Sequence, residues 1–201
     1  MNAELFFIYD THCPWSYATT SLVNCISEAF PEMKLNLFHS ARYEGDELIT
    51  PLTLDAIVND SNTTFSASYI DNLTQEKDST ISANLLAWAQ VKAPQLVLPL
   101  INTIEKLHFE KGLALTTEVD FIDIITEYKI SPPSKVFNND KLTKEAESII
   151  HHITEFQELM NTDAIPALLL AVEDNLILLN HNLYLKQPEC IVEAINLELN
   201  K

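Results

Sequence analysis

One stretch constrains this chain more than any other: the apolar run Leu5-Phe6-Phe7-Ile8-Tyr9, a thiol at Cys13, Pro14, and then a helical repeat. The run is long enough for a buried strand. Leu22, Val23, Ile26, Ala29 and Phe30 recur at spacings of three and four, the period of a helix with one apolar face. Pro14 suits the first turn of that helix, where its missing N–H has no intrahelical partner to lose. Cys13 therefore falls at a strand-to-helix turn, facing free N–H groups and the positive end of a helix dipole. That setting favours thiolate over thiol, so Cys13 is expected to titrate below the free value near ~8.5. The alternative reading is a small hydrophobe at a helix cap.

The other thiols offer Cys13 no partner. Cys25 lies on the same predicted helix, about 18 Å away at the usual rise per residue. A disulfide needs Cα atoms within roughly 7 Å. Cys25 falls with Ala18, Leu22 and Ala29 at helical spacing and reads as a buried structural thiol. Cys190 sits near the start of the last helix without a visible partner.

Length and charge bound the rest. The chain's 201 residues allow one domain with a substantial core, or one domain carrying an insertion. A formal charge of −17 argues against nucleic acid and anionic membranes as partners. No basic leader or apolar signal region precedes the first strand. The best candidate for a membrane span, Leu85 to Ile101, is broken by Lys92, Pro94 and Pro99. The expected location is the cytoplasm, where structural disulfides are rare.

Beyond the first helix, Lys34 to Phe38 reads as a second strand, giving a right-handed βαβ unit. From about Ser40 to about Asn161 the pattern is helical. Candidates are Ser82 to Gln90, a stretch opened by Pro94 and stopped at Gly112, Glu118 to Lys129, and Leu142 to Met160. Ile165 to Val172 is continuously apolar, as a central strand would be, and a turn at Glu173-Asp174-Asn175 leads to a partner at Leu176 to Leu179. Pro188 starts a final helix. The expected class is α/β: a thioredoxin fold with a large helical insertion between its βαβ and ββα halves. Residues 1–40 and 162–201 would form the thioredoxin-like domain, and 41–161 the inserted helical subdomain.

His12-Cys13-Pro14-Trp15-Ser16-Tyr17, Phe65 with Asp78-Ser79, the run Ile104 to Gly112 and Ile165-Pro166 occur in an order that resembles the DsbA-like thioredoxin family. Within it the likeness is to the branch of FrnE-like proteins, 2-hydroxychromene-2-carboxylate isomerases and kappa-class glutathione transferases. The resemblance implies that Cys13 is the nucleophile and that Pro166 is cis beside it. Ile165 would then offer its backbone to an extended peptide or to glutathione. Taken alone, Pro166 reads as a trans proline opening a strand, and the cis assignment rests wholly on the resemblance. The same resemblance makes His12, Pro14 and Trp15 contacts for substrate.

The departures matter as well. Ser16 stands where disulfide-active relatives carry a second, resolving cysteine, so Cys13 would stop at a mixed disulfide until another thiol attacks it. The expected activity is that of a monothiol thiol-disulfide oxidoreductase or isomerase, with the Ser16 hydroxyl hydrogen-bonding the Cys13 sulfur. The expected partners are a disulfide-bearing peptide or small thiol, with glutathione as cosubstrate and no bound cofactor. A homodimer is one open assembly. A glutathione-dependent isomerase or transferase is a sibling reading. A redox-inactive peptide-binding module is the alternative of another class. His12 could stabilise a Cys13 thiolate as a cation. His151 and His152 are adjacent and diverge on a helix, while His39, His108 and His181 lack ligand-spaced neighbours, so no metal is expected.

Overall fold

The apolar run ahead of Cys13 becomes β1 (Ala3–Tyr9) in the computed structural model, which describes residues 3–43 and 49–200. Its side chains alternate between two apolar clusters. Leu5, Phe7 and Tyr9 enter the main core with Leu22, Val23 and Ile26, while Ile8 enters a second cluster with Ile149 and Ile153. A strand covered on both faces reads as one unbroken apolar run, and this one does. β1 runs parallel to β2 (Lys34–His39) and antiparallel to β3 (Ala167–Val172). β4 (Asn175–Leu178) pairs outside β3, giving the sheet order β2-β1-β3-β4. This is the expected thioredoxin arrangement. β3 starts at Ala167, two residues later than expected, because Pro166 has no N–H to give a ladder. β4 is an edge: Leu176 and Leu178 are 40% and 52% exposed.

α1 (Pro14–Ala29) carries Pro14 in its first turn, as expected, and crosses from β1 to β2. Between β2 and β3 come α2 (Pro51–Asp60), α3 (Ala67–Asp71), α4 (Thr80–Lys92), α5 (Val97–Glu105), α6 (Ile122–Tyr128) and α7 (Lys144–Met160). α5 widens into a π turn, Lys106–Glu110. The turn stops at Gly112, whose φ of +71° favours glycine. A Cβ there would lie 2.5 Å from Ser68 Oγ. α4 is buried almost all round, with Ile81, Leu85, Leu86 and Ala89 in the main core and Ala87 in the second. Asn84 accepts the Thr143 N–H at 2.7 Å and donates to the Asn138 and Lys141 carbonyls at 3.2 Å, which fixes the entry to α7.

Apolar periodicity does not announce α2 and α3, since α2 buries only Leu54 and Ile57 and α3 only Tyr69. Hydroxyl caps start both: Thr50 accepts the Thr53 N–H, and Ser66 accepts that of Tyr69. α8 (Cys190–Leu199) closes the chain, with Ile191 and Ile195 in the main core. Among the described residues no helix is long and apolar enough to cross a membrane.

Candidate thiol site

Cys13 is the residue that caps α1. Its backbone is extended, at φ −85° and ψ 116°. Its N–H donates to the Asp10 carbonyl at 3.0 Å, and its own carbonyl accepts the Tyr17 N–H at 3.0 Å. Asp10, absent from the sequence-based site, holds this turn together. Its carboxylate accepts the His12 N–H, the Arg42 N–H and the Ser79 hydroxyl, each at 2.8 Å. Its own N–H donates to Ser16 Oγ at 3.2 Å. One wholly buried carboxylate thus ties the end of β1, the start of α1, the segment after β2 and the N-terminus of α4 into one frame. Hydrogen bonds from several fixed donors are what allow a charge to stay buried.

Tyr43, Ile49, Leu54, Tyr69, Leu73 and Phe109 close over Cys13, with Ile165 packed at their margin. Only 5% of Cys13 is exposed. This burial pushes the thiol up, and the Asp10 carboxylate adds to the rise. The Ser16 hydroxyl and the Ser16 and Trp15 N–H groups act the other way, as expected of hydrogen bonds to sulfur at a helix N-terminus. The expected lowering is therefore corrected. In this closed arrangement, loss of water costs the thiolate more than the N–H groups of α1 return. Cys25 differs from its expectation too: it is partly exposed and packs only at the margin of the core.

The histidines form the frame. His12 is wholly buried. Its Nε2 lies 3.1 Å from the Ala114 carbonyl, which can only accept, so that nitrogen carries the proton and Nδ1 accepts from the Thr11 hydroxyl at 3.2 Å. Burial lowers its pKa. His12 is thus a neutral strut and not the cation considered from sequence. His39 has the Ala41 N–H 3.0 Å from Nδ1 and the Thr11 N–H 3.1 Å from Nε2. Thr11 Oγ1 is nearer still to Nε2, at 2.9 Å, and can accept from it, so a neutral ring protonated on Nε2 is served at both nitrogens, and burial pushes His39 down to about 4.

Of the other predicted residues, Pro14 and Ser16 are buried in the first turn of α1, and Trp15 is half-buried. The Ile165-Pro166 bond is cis, as the resemblance implied. No backbone hydrogen bond engages Ile165 among the described residues. Two clefts flank it. One, of about 310 Å³, runs past Ser40, Arg42 and Thr154 to Ile165, and the other, of about 430 Å³, is lined by Pro166, Ala167, Leu178 and Leu179. Beneath α1, Thr20 donates to Glu105 Oε1 at 3.0 Å, and burial raises the Glu105 carboxyl well above its ordinary value.

Sheet order, the thiol at the α1 cap and the cis bond before β3 can be compared with solved structures. The cytosolic disulfide reductase DsbM from Pseudomonas aeruginosa superposes with a TM-score of 0.83 over 98% of both chains, at 16% identity. The chain has the DsbA-like thioredoxin fold. DsbM has also been solved with GSH, and that structure superposes at 0.80 over 98% of this chain and 100% of that one. 2-Hydroxychromene-2-carboxylate isomerase gives 0.57 at 13% identity, over 98% of this chain and 96% of the other. A periplasmic thioredoxin-like protein from Salmonella enterica serovar Typhimurium gives 0.55 at 13% identity, over 100% and 86%. At the level of sequence, no family model and no curated protein matches.

Proposed function

We propose that this DsbA-like chain is a thiol-disulfide exchange enzyme that acts through Cys13 alone in the cytoplasm. The observation that carries the reading is the meeting of two features. A single thiol caps α1 with Ser16 in the resolving position, and Ile165, whose backbone makes no hydrogen bond among the described residues, packs against the cluster that holds Cys13. An extended substrate can add to Ile165 as one more antiparallel strand, with its flanking residues in the two clefts. The Cys13 thiolate then attacks one sulfur of the substrate disulfide. A new S–S bond forms as the old one breaks, and the other sulfur leaves as a thiolate. Ser16 has no thiol to resolve the mixed disulfide, so an external thiol must attack Cys13 to release the product.

Glutathione is the proposed external thiol, a reading supported by the DsbM structure with GSH. Nucleic acid and anionic membranes stay outside the proposal because a charge of −17 repels both. The 5% exposure of Cys13 favours a second reading, a peptide-binding module without redox turnover. One experiment separates the two. The protein is incubated with oxidised glutathione and weighed intact beside Cys13→Ala. A single glutathionyl adduct that is absent from Cys13→Ala, and is removed by reduced glutathione, supports exchange. No adduct on Cys13 under those conditions leaves the binding module.

A further inference from the structure

With 5% of Cys13 exposed, a substrate disulfide has no approach to its sulfur in the closed arrangement. Exchange at Cys13 needs part of the shell to move, and the pieces of that shell are tied down unequally. Tyr69 and Phe109 are fixed to each other's elements: Ser66, at the start of α3, donates its N–H to the Phe109 carbonyl at 3.0 Å. Tyr43 is held as well, since its carbonyl accepts the Ser79 N–H at 2.8 Å. Ile49 and Leu54 belong to the segment that carries α2, and that segment is different. Among the described residues, every hydrogen bond made by residues 49–61 stays within residues 49–63. Three buried apolar side chains dock the segment: Ile49 and Leu54 in the cluster with Cys13, and Ile57 in the main core. Leu52 and Val58 of α2 are exposed. Few buried contacts and no hydrogen bond to the body mark a segment that opens at low cost.

We infer that α2 is a displaceable cover for Cys13, which turns away from the cluster and carries Ile49 and Leu54 off the sulfur. The pivot is Asn62, whose Nδ2 donates to the Lys186 carbonyl at 2.8 Å and holds the chain there. α3, Phe109 and the turn at Asp10 keep their places. The inference rests on the single-thiol reading above, to which it adds the step that admits substrate. Opening acts twice on the thiol. It clears the approach, and it returns water to a sulfur whose burial raises its pKa. The Ser16 hydroxyl and the Ser16 and Trp15 N–H groups, which favour the thiolate, belong to α1 and stay with the sulfur. Closing reverses both effects, so the resting thiol is shielded and suppressed by one element.

The test is alkylation of Cys13 by iodoacetamide in folded full-length protein carrying Cys25→Ser and Cys190→Ser. Ile57→Val takes one methyl group from the docking of α2 without touching the cluster around Cys13, and should speed alkylation about fivefold. Ile195→Val takes the same group from the same core on α8 and should leave the rate unchanged. An unchanged rate in Ile57→Val, or an equal rise in both variants, overturns the inference. Amide hydrogen exchange gives a second reading that needs no thiol chemistry. The N–H groups of Leu54 to Ser61 should exchange ahead of those of α4, and equal protection of the two helices overturns the cover. Adduct formation with oxidised glutathione is followed separately. If Ile57→Val speeds alkylation as expected and Cys13 still forms no adduct, the single-thiol reading fails while the cover stands.

Discussion

The Ser79 hydroxyl donates to Asp10 Oδ2 at 2.8 Å, joining the residue that caps α4 to the residue that ends β1. The Ser79 N–H donates in turn to the Tyr43 carbonyl at 2.8 Å. The helical insertion is thereby fastened to the turn that carries the thiol. Ser79→Ala removes one charge-assisted bond and should cost about 1–3 kcal/mol. Asp10→Ala strands several buried donors and should cost more. Urea unfolding measures both, and adduct formation at Cys13 should fall in Asp10→Ala before global stability is lost.

Ser16 has two roles that substitution separates. Ser16→Ala removes a hydrogen bond to the Cys13 sulfur and should raise the thiol further. It also leaves the Asp10 N–H unpaired, at about 1–2 kcal/mol of stability. Ser16→Cys should close an internal disulfide with Cys13, detected as the loss of two free thiols under mild oxidation.

Acid should destabilise the fold through its buried histidines. His39 titrates at about 4 in the folded chain against 6.5 unfolded. Between those values the unfolded chain holds the extra proton, so stability is lost as pH falls from 6.5 towards 4. The contribution of His39 is on the order of 3 kcal/mol. His12 and His108 are shifted the same way. Glu105 is shifted up, so its folded form holds the extra proton and its share of stability is lost as pH rises through its raised value. Thermal unfolding against pH should show a steep acid limb. Glu105→Gln should be relatively more stable than the unsubstituted chain on the alkaline side.

Gly112→Ala places a Cβ against Ser68 at a φ of +71°. The backbone conformation alone costs about 1 kcal/mol, and the contact with α3 adds to it. A loss of about 2–3 kcal/mol in urea unfolding is expected.

Thiol labelling should follow exposure. Cys25 and Cys190 are partly exposed and Cys13 is buried, so a bulky maleimide should reach Cys13 last in the resting protein. Peptide mapping after short labelling times reads the order.

The strand-turn-helix around Cys13, the central apolar strand and the long helices of the insertion were legible because each states its period over many residues. α2 and α3 were not, since one or two buried side chains per helix leave no period to read. Cys13, Ser16 and Ile165 could be placed from sequence. Asp10 could not, because its role arises from partners such as Arg42 and Ser79 that only the fold brings near. The thiol's shift went the other way from expectation for a related reason. Helix position is written in sequence, but the shell of Tyr43, Leu54, Tyr69 and Phe109 that dries the sulfur is not.

β1 owes its two edges to opposite ends of the chain: Leu5 pairs with Leu35 on one side and Leu170 on the other. A ribosome that has released everything up to α7 therefore holds a nascent chain whose β1 is paired on one edge only. The other edge offers a row of free N–H and C=O groups beside apolar side chains, the form most prone to cross-pairing between neighbouring polysomes. Ile165 arrives with the strand that seals that edge, so translation completes the apolar surroundings of the thiol in the same act that makes the sheet safe.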